Sequence, residues 1–199
     1  MNLVFFFLDS MAGYMLLTLP VWIVVRTLYQ LKHEIKPRWP REVLMALFVL
    51  YLAGLLSQTL LNNGITWMTK AESPAVLLQY VKDRWVNRRA VNLVPLQTIR
   101  SVWYRGSASQ KLINLTGNVV MFLPLGFTPP ALWQQWRRVW KTVPMTFAVS
   151  CSIEFLQLFL GRSVDVDDVL LNTLGGLAGY ILFRLCFSLF GKPKGKHGK

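Results

Sequence analysis

The chain has 199 residues, 53% of them hydrophobic and 16% charged, with a formal net charge of +13 and a mean hydropathy of +0.38. That balance excludes an ordinary soluble domain, whose apolar stretches are broken more often by charge, and it fits one multi-pass membrane domain. In a membrane the excess of Lys and Arg holds loops on the cytoplasmic side and attracts anionic headgroups, so no nucleic-acid partner is expected.

Leu3 to Val25 is the first apolar run, interrupted by Asp9 and a Ser10/Gly13 patch and ended by Arg26. It lacks a basic n-region and a small-residue cleavage site, so it reads as a retained span. Arg26 to Glu42 is a basic connector, with Arg26, Lys32, Lys36, Arg38 and Arg41 against Glu34 and Glu42. Val43 to Leu61 is an uncharged second span that stops at Asn62-Asn63-Gly64. The longest connection, Asn62 to Lys111, places Val76, Leu77, Tyr80, Val81 and Trp85 near helical spacing, with Lys82, Asp83 and Arg84 mostly on the other side. This predicts a helix over Ala75 to Val86 lying in the membrane interface.

Leu112 to Trp133 is the third span, and its Pro124, Pro129 and Pro130 predict a bent or discontinuous helix, because proline removes a backbone donor and clashes with the preceding turn. Thr142 to Leu160 is the fourth and Val169 to Phe190 the fifth, before a tail with Lys192, Lys194, Lys196 and Lys199. The fold expected is therefore an all-α integral membrane protein with about five transmembrane helices plus an interfacial helix in the long outer loop. It divides into residues 1–42 (first span and basic connector), 43–190 (membrane domain) and 191–199 (basic tail). Twelve basic residues fall in the first connector, the Gln134 to Lys141 loop and the tail, and nine on the opposite face. Four of the nine sit mid-loop, where they count least, so the N-terminus is expected outside and the C-terminus in the cytoplasm. Cys151 and Cys186 lie in separate spans and read as apolar fillers rather than a disulfide.

Polar residues gather inside or beside the last three spans. An ionisable group there costs roughly 2.5 to 3.5 kcal/mol on insertion scales and is read first as functional. Asp165, Asp168, Asn172, Gly175/Gly176 and Gly179 recur at intervals of three or four and share one helical stripe. Ser150, Glu154 and Gln157 make a second, and Asn114 with Asn118 a third. Gly175 and Gly179 form a small-xxx-small pair that permits close helix approach. Stripes facing one another would form a polar cavity open to the outside, whereas the plainer reading is hydrogen bonding between helices at under about 1 kcal/mol each. Glu154 is expected either to pair with an arginine or to be protonated. Arg88, Arg89, Arg100, Arg105 and Arg162 carry the planar fork suited to a pyrophosphate or carboxylate, with headgroup contact the plainer role for Arg100 and Arg105. Asp165, Asp167 and Asp168 lack the glycine and distal glutamate of a calcium loop, so neither metal nor cofactor is expected.

Four blocks, in order, carry a resemblance: Asn92-Leu93-Val94-Pro95-Leu96-Gln97-Thr98-Ile99, Gly117-Asn118 through Phe127, Glu154-Phe155-Leu156-Gln157, and Arg162-Ser163-Val164-Asp165-Val166-Asp167-Asp168 continuing to Gly176. Over roughly Val43 to Phe190 the chain resembles the VanZ-like family of bacterial membrane proteins, named after a teicoplanin-resistance protein. Leu96 departs from the family's frequent phenylalanine. The resemblance implies a multi-pass protein of the bacterial cytoplasmic membrane linked to lowered glycopeptide susceptibility, and it supplies no reaction.

The reading is a non-enzymatic protein that binds a lipid-linked anionic envelope component. The ligand-binding set is Arg88, Arg89, Asn92, Asn118, Glu154, Gln157, Arg162, Asp165, Asp167, Asp168 and Asn172, and the partners are membrane lipids, including a lipid-linked envelope precursor. The alternatives are a membrane-embedded hydrolase or transferase with Glu154, Asp165 or Asp168 as general acid/base, and a helix-packing scaffold for an envelope complex.

Overall fold

The computed structural model describes residues 3–61, 73–87, 91–107, 109 and 112–190. Seven α-helices lie among them: α1 (Leu3–Lys32), α2 (Trp39–Leu56), α3 (Pro74–Val86), α4 (Gln97–Arg105), α5 (Gly117–Leu132), α6 (Val139–Phe159) and α7 (Val166–Phe190). Two short strands, β1 (Val91–Asn92) and β2 (Val164–Asp165), pair in parallel. Among the described residues four stretches are long and apolar enough to cross a membrane: Met11–Lys32, Trp39–Leu60, Val139–Phe159 and Val166–Leu189. The expected third span is shorter. Its α5 has 16 residues, about 24 Å against a hydrocarbon core of about 30 Å, and it follows a π-helical turn over Leu112–Thr116. The tail of residues 191–199 and the Asn62-Asn63-Gly64 stop lie outside the described residues. The chain divides into two compact units, Met1–Pro95 with Cys151–Val166, and Leu96–Ser150 with Asp167–Lys199.

In the first unit α1 packs against α2. Gly54 of α2 makes room for two methionines of α1, since a Cβ there would lie 2.8 Å from the Cε of Met11 and of Met15. The basic connector is shorter than the sequence predicts. Helix α1 continues through Arg26, whose fork donates from Nε and Nη2 to the two carboxylate oxygens of Glu42 at 2.6 and 2.7 Å. Both residues thus belong to helices: Glu42 sits in the first turn of α2, where Pro40 also fits the orphaned donors of a helix start. Helix α1 stops at a Schellman cap, in which the Ile35 N–H donates to Gln30 O at 3.0 Å and Glu34 takes the left-handed conformation at φ 53°. A glutamate pays the steric cost that glycine avoids there, so Glu34→Gly is expected to stabilise the protein by about 0.5–1 kcal/mol, read as a small rise in Tm.

A helix is present where the sequence predicts one, as α3, started by Pro74 and by the Ser73 side chain accepting from the Val76 N–H at 3.4 Å. Val76, Leu78 and Trp85 are exposed. Arg84, placed by helical spacing with the polar residues, is instead buried, because its guanidinium meets backbone and side-chain acceptors rather than water.

The second unit is built on close contact of α5, α6 and α7. A Cβ on Gly175 would overlap the carbonyl oxygen of Val119, one on Gly179 that of Leu123, and one on Gly126 that of Gly176. On its other side Gly176 meets the Thr146 side chain of α6. Around this seam Phe122, Leu125, Val169, Tyr180 and Phe183 are buried. Phe127 and Phe183 meet edge to face at 6.3 Å, and the Tyr180 hydroxyl donates to Arg137 O at 2.8 Å. Helix α5 runs through Pro124, Pro129 and Pro130 as one helix. The break expected from proline is absent there, and the irregular backbone lies in the preceding π turn. Both cysteines are free.

Candidate functional site

In the first unit the loop after α6 organises the polar side chains. Helix α6 ends in another Schellman cap: Gly161 takes φ 72° and the Arg162 N–H donates to Gln157 O at 3.1 Å. This turn sends the Arg162 guanidinium to Gln58 O at 3.0 Å, while the Gln157 amide donates to Thr59 O at 2.9 Å. Both acceptors belong to the π-helical turn Ser57–Leu61 at the end of α2. A π turn displaces carbonyls from the regular i→i−4 ladder, which frees them for side-chain donors.

Beyond Arg162 the chain enters β2, where Val91 pairs with Val164 and Asn92 with Asp165. The Asn92 side-chain amide donates to the Asp165 carboxylate at 2.9 Å, and its oxygen accepts from the Val94 N–H at 3.0 Å. The backbone N–H of Asp165 in turn donates to Glu154 Oε2 at 2.8 Å. That partner was not predicted, since sequence named an arginine or a proton for Glu154. Five expected site residues, Asn92, Glu154, Gln157, Arg162 and Asp165, are therefore brought together.

A sixth member was missed. Arg84 of α3 is only 6% exposed. Its Nη1 donates to the Tyr80 hydroxyl at 2.8 Å and its Nη2 to the carbonyl of Arg162, while Nε is buried with no partner among the described residues. The guanidinium carbon also lies 5.3 Å from the Tyr80 ring centroid. The signal in the sequence was the i, i+4 spacing of Tyr80 and Arg84, which puts both on one face. Arg88 and Arg89, expected beside them, lie outside the described residues.

In the second unit the remaining candidates are placed differently. Asp167 is fully buried, and its two oxygens accept the backbone N–H groups of Leu96, Thr98 (2.8 Å) and Ile99 (3.0 Å). It caps the start of α4, where Leu96 adopts φ 66°. A carboxylate placed on three orphaned donors at a helix start is held by charge-assisted hydrogen bonds and by the helix dipole. Asp168 accepts from the Asn118 amide at 2.6 Å, and Asn172 donates to the Ser150 hydroxyl at 2.9 Å, leaving its own amide oxygen buried without a partner among the described residues. Asn114 has no described side chain. No group of three or more His, Cys, Asp or Glu suited to a metal occurs among the described residues.

Long apolar helices, an irregular short one between them and polar loops tied to helix ends define a multi-pass α-helical membrane protein. A family model for VanZ/LLP1 matches residues 46–187. The chain belongs to that family. No curated protein and no solved structure matches it.

Proposed function

We propose that this protein binds a lipid-linked anionic component of the cell envelope, in a polar cavity facing the outer side of the bacterial cytoplasmic membrane. Its N-terminus lies outside and its C-terminus in the cytoplasm, and lowered glycopeptide susceptibility is the phenotype that the resemblance to the family's namesake attaches to this reading. The observation that carries it is the pair of arginines Arg84 of α3 and Arg162 of the loop after α6, joined by a hydrogen bond from the first to the carbonyl of the second, with Arg84 almost wholly buried and one of its donors unmatched among the described residues. Desolvating a guanidinium such as that of Arg84 is costly without a counter-charge, and a phosphate or carboxylate headgroup supplies one with two oxygens that fit the fork. Arg88 and Arg89 belong to the same reading by sequence. Binding is favoured over general acid–base catalysis because Glu154, Asp165 and Asp168 already accept hydrogen bonds from their own chain.

The test is to purify the protein in mild detergent or native nanodiscs and identify copurifying lipids by mass spectrometry. A specific anionic lipid is expected with the wild type and at least about fivefold less with Arg162→Ala or Arg84→Gln, as loss of one charge-assisted pair of roughly 1–3 kcal/mol implies. Glu154→Gln should retain biological effect under the binding reading and lose it under the enzymatic one. Bulk lipid alike in all folded variants would leave the scaffold reading in its place.

A further inference from the structure

Helix α4 has a role that neither its sequence neighbours nor the site above requires. Its nine residues bury none of their number, and they include Arg100 and Arg105 with no acidic residue at all. Trp103 is 61% exposed and Tyr104 74%, with Leu96 just before them at 58%. The Arg100 guanidinium sits over the Tyr104 ring at 5.9 Å. Ile99 and Val102 are half-buried, so the helix rests on one face and offers the aromatic and cationic side chains on the others.

A second observation bears on the height of α4. Its first turn is held by Asp167 through three backbone N–H groups, and Asp167 is the second residue of α7, whose membrane-crossing stretch begins at Val166. A segment bound to the first turn of a span lies at the level of the headgroups. Trp and Tyr favour that layer, and arginine there meets lipid phosphate.

We infer that α4 is a second interfacial helix, which docks on the bilayer surface through anionic phospholipid headgroups, Arg100 and Arg105 engaging phosphate while Trp103 and Tyr104 lie in the headgroup layer. The charge of the helix, two cations with no anion, selects anionic over zwitterionic lipid. Asp167 is the positioning residue that presents it. This inference does not depend on the ligand proposed for Arg84 and Arg162.

Hydrogen exchange of the full-length protein in nanodiscs tests it. Backbone amides of residues 97–105 should exchange at least about fivefold more slowly in discs containing phosphatidylglycerol than in discs of phosphatidylcholine alone, since one basic residue near an anionic surface contributes about that factor. The double substitution Arg100→Gln/Arg105→Gln should remove the difference while leaving exchange in the spans unchanged. Higher salt should shrink the difference, because surface charge is screened. Equal exchange in the two lipids would overturn the inference. Slowing by inorganic phosphate in phosphatidylcholine discs to the same degree would overturn it too, by making the site one for a free anion.

Discussion

Replacing Asp167 by alanine is expected to lower the stability of the protein by about 3–5 kcal/mol, the range for breaking a buried charge-assisted network and stranding its donors. The carboxylate is fully buried and accepts the N–H groups of Leu96, Thr98 and Ile99. Alanine leaves all three without that acceptor at the start of α4, where no i−4 carbonyl exists to take them. For a chain of this size the change corresponds to a fall in Tm of roughly 10 °C, measured by intrinsic fluorescence in detergent. Asp167→Asn should fall between, because the amide keeps one acceptor oxygen but turns an NH2 toward a backbone donor. The same substitutions should speed exchange of the amides in 97–105 before those of α5 or α7. If Asp167 were instead a ligand residue, Asp167→Ala would reduce lipid retention with Tm unchanged, and that result would sink the capping role.

Asp167 also shows where sequence stopped being informative. Its block was legible, as were the long spans, the helix α3 and the Gly175/Gly179 pair, because each is a local pattern of hydropathy or spacing. What Asp167 does was not legible, since its three donors lie about seventy residues earlier in the chain, and a side chain that caps another segment leaves no periodic trace. Arg84 failed for a related reason. Its charge grouped it with Lys82 and Asp83 although its i, i+4 spacing sets it on the face of Tyr80, and its further partner is a carbonyl in the loop after α6, created only when Gly161 turns the chain. The π turns at Ser57–Leu61 and Leu112–Thr116 were also invisible, because an i→i+5 bond needs no distinctive residue. The three prolines of α5 pointed to a bent or discontinuous span, and the discontinuity is the π turn before α5 rather than a break at the prolines, because a membrane leaves the backbone few alternatives to helix. The glycine pair on α7 was read correctly as an approach surface, although only the structure names Val119 and Leu123 of α5 as what approaches.

That seam carries the second large prediction. Gly126→Val, Gly176→Val and Gly179→Val should each prevent or severely impair folding of the helix cluster, at a cost of about 3 kcal/mol or more, the upper end for overpacking. The reason is what the new Cβ would strike. At Gly126 and Gly179 it is a backbone carbonyl oxygen, of Gly176 and Leu123, which moves only if two helices part. Parting them forfeits the van der Waals packing that membrane helices depend on, because lipid supplies no hydrophobic drive to hold them. A gradient of controls separates this from a general intolerance of substitution. Gly54→Ala meets only the mobile ends of Met11 and Met15 at 2.8 Å, so its cost should stay under about 1 kcal/mol. Gly13→Ala and Gly117→Ala meet nothing within 4 Å, and exchanging a helical glycine for alanine there should gain about 0.5–1 kcal/mol. Folded yield by size-exclusion chromatography, followed by unfolding under increasing dodecyl sulfate in mixed micelles, ranks the variants. The order expected is Gly13 and Gly117 most tolerant, Gly54 intermediate, and Gly126, Gly176 and Gly179 least. If Gly126→Ala behaved like Gly117→Ala, α5 and α7 would not be in backbone contact, and the packing of the second unit would have to be redrawn.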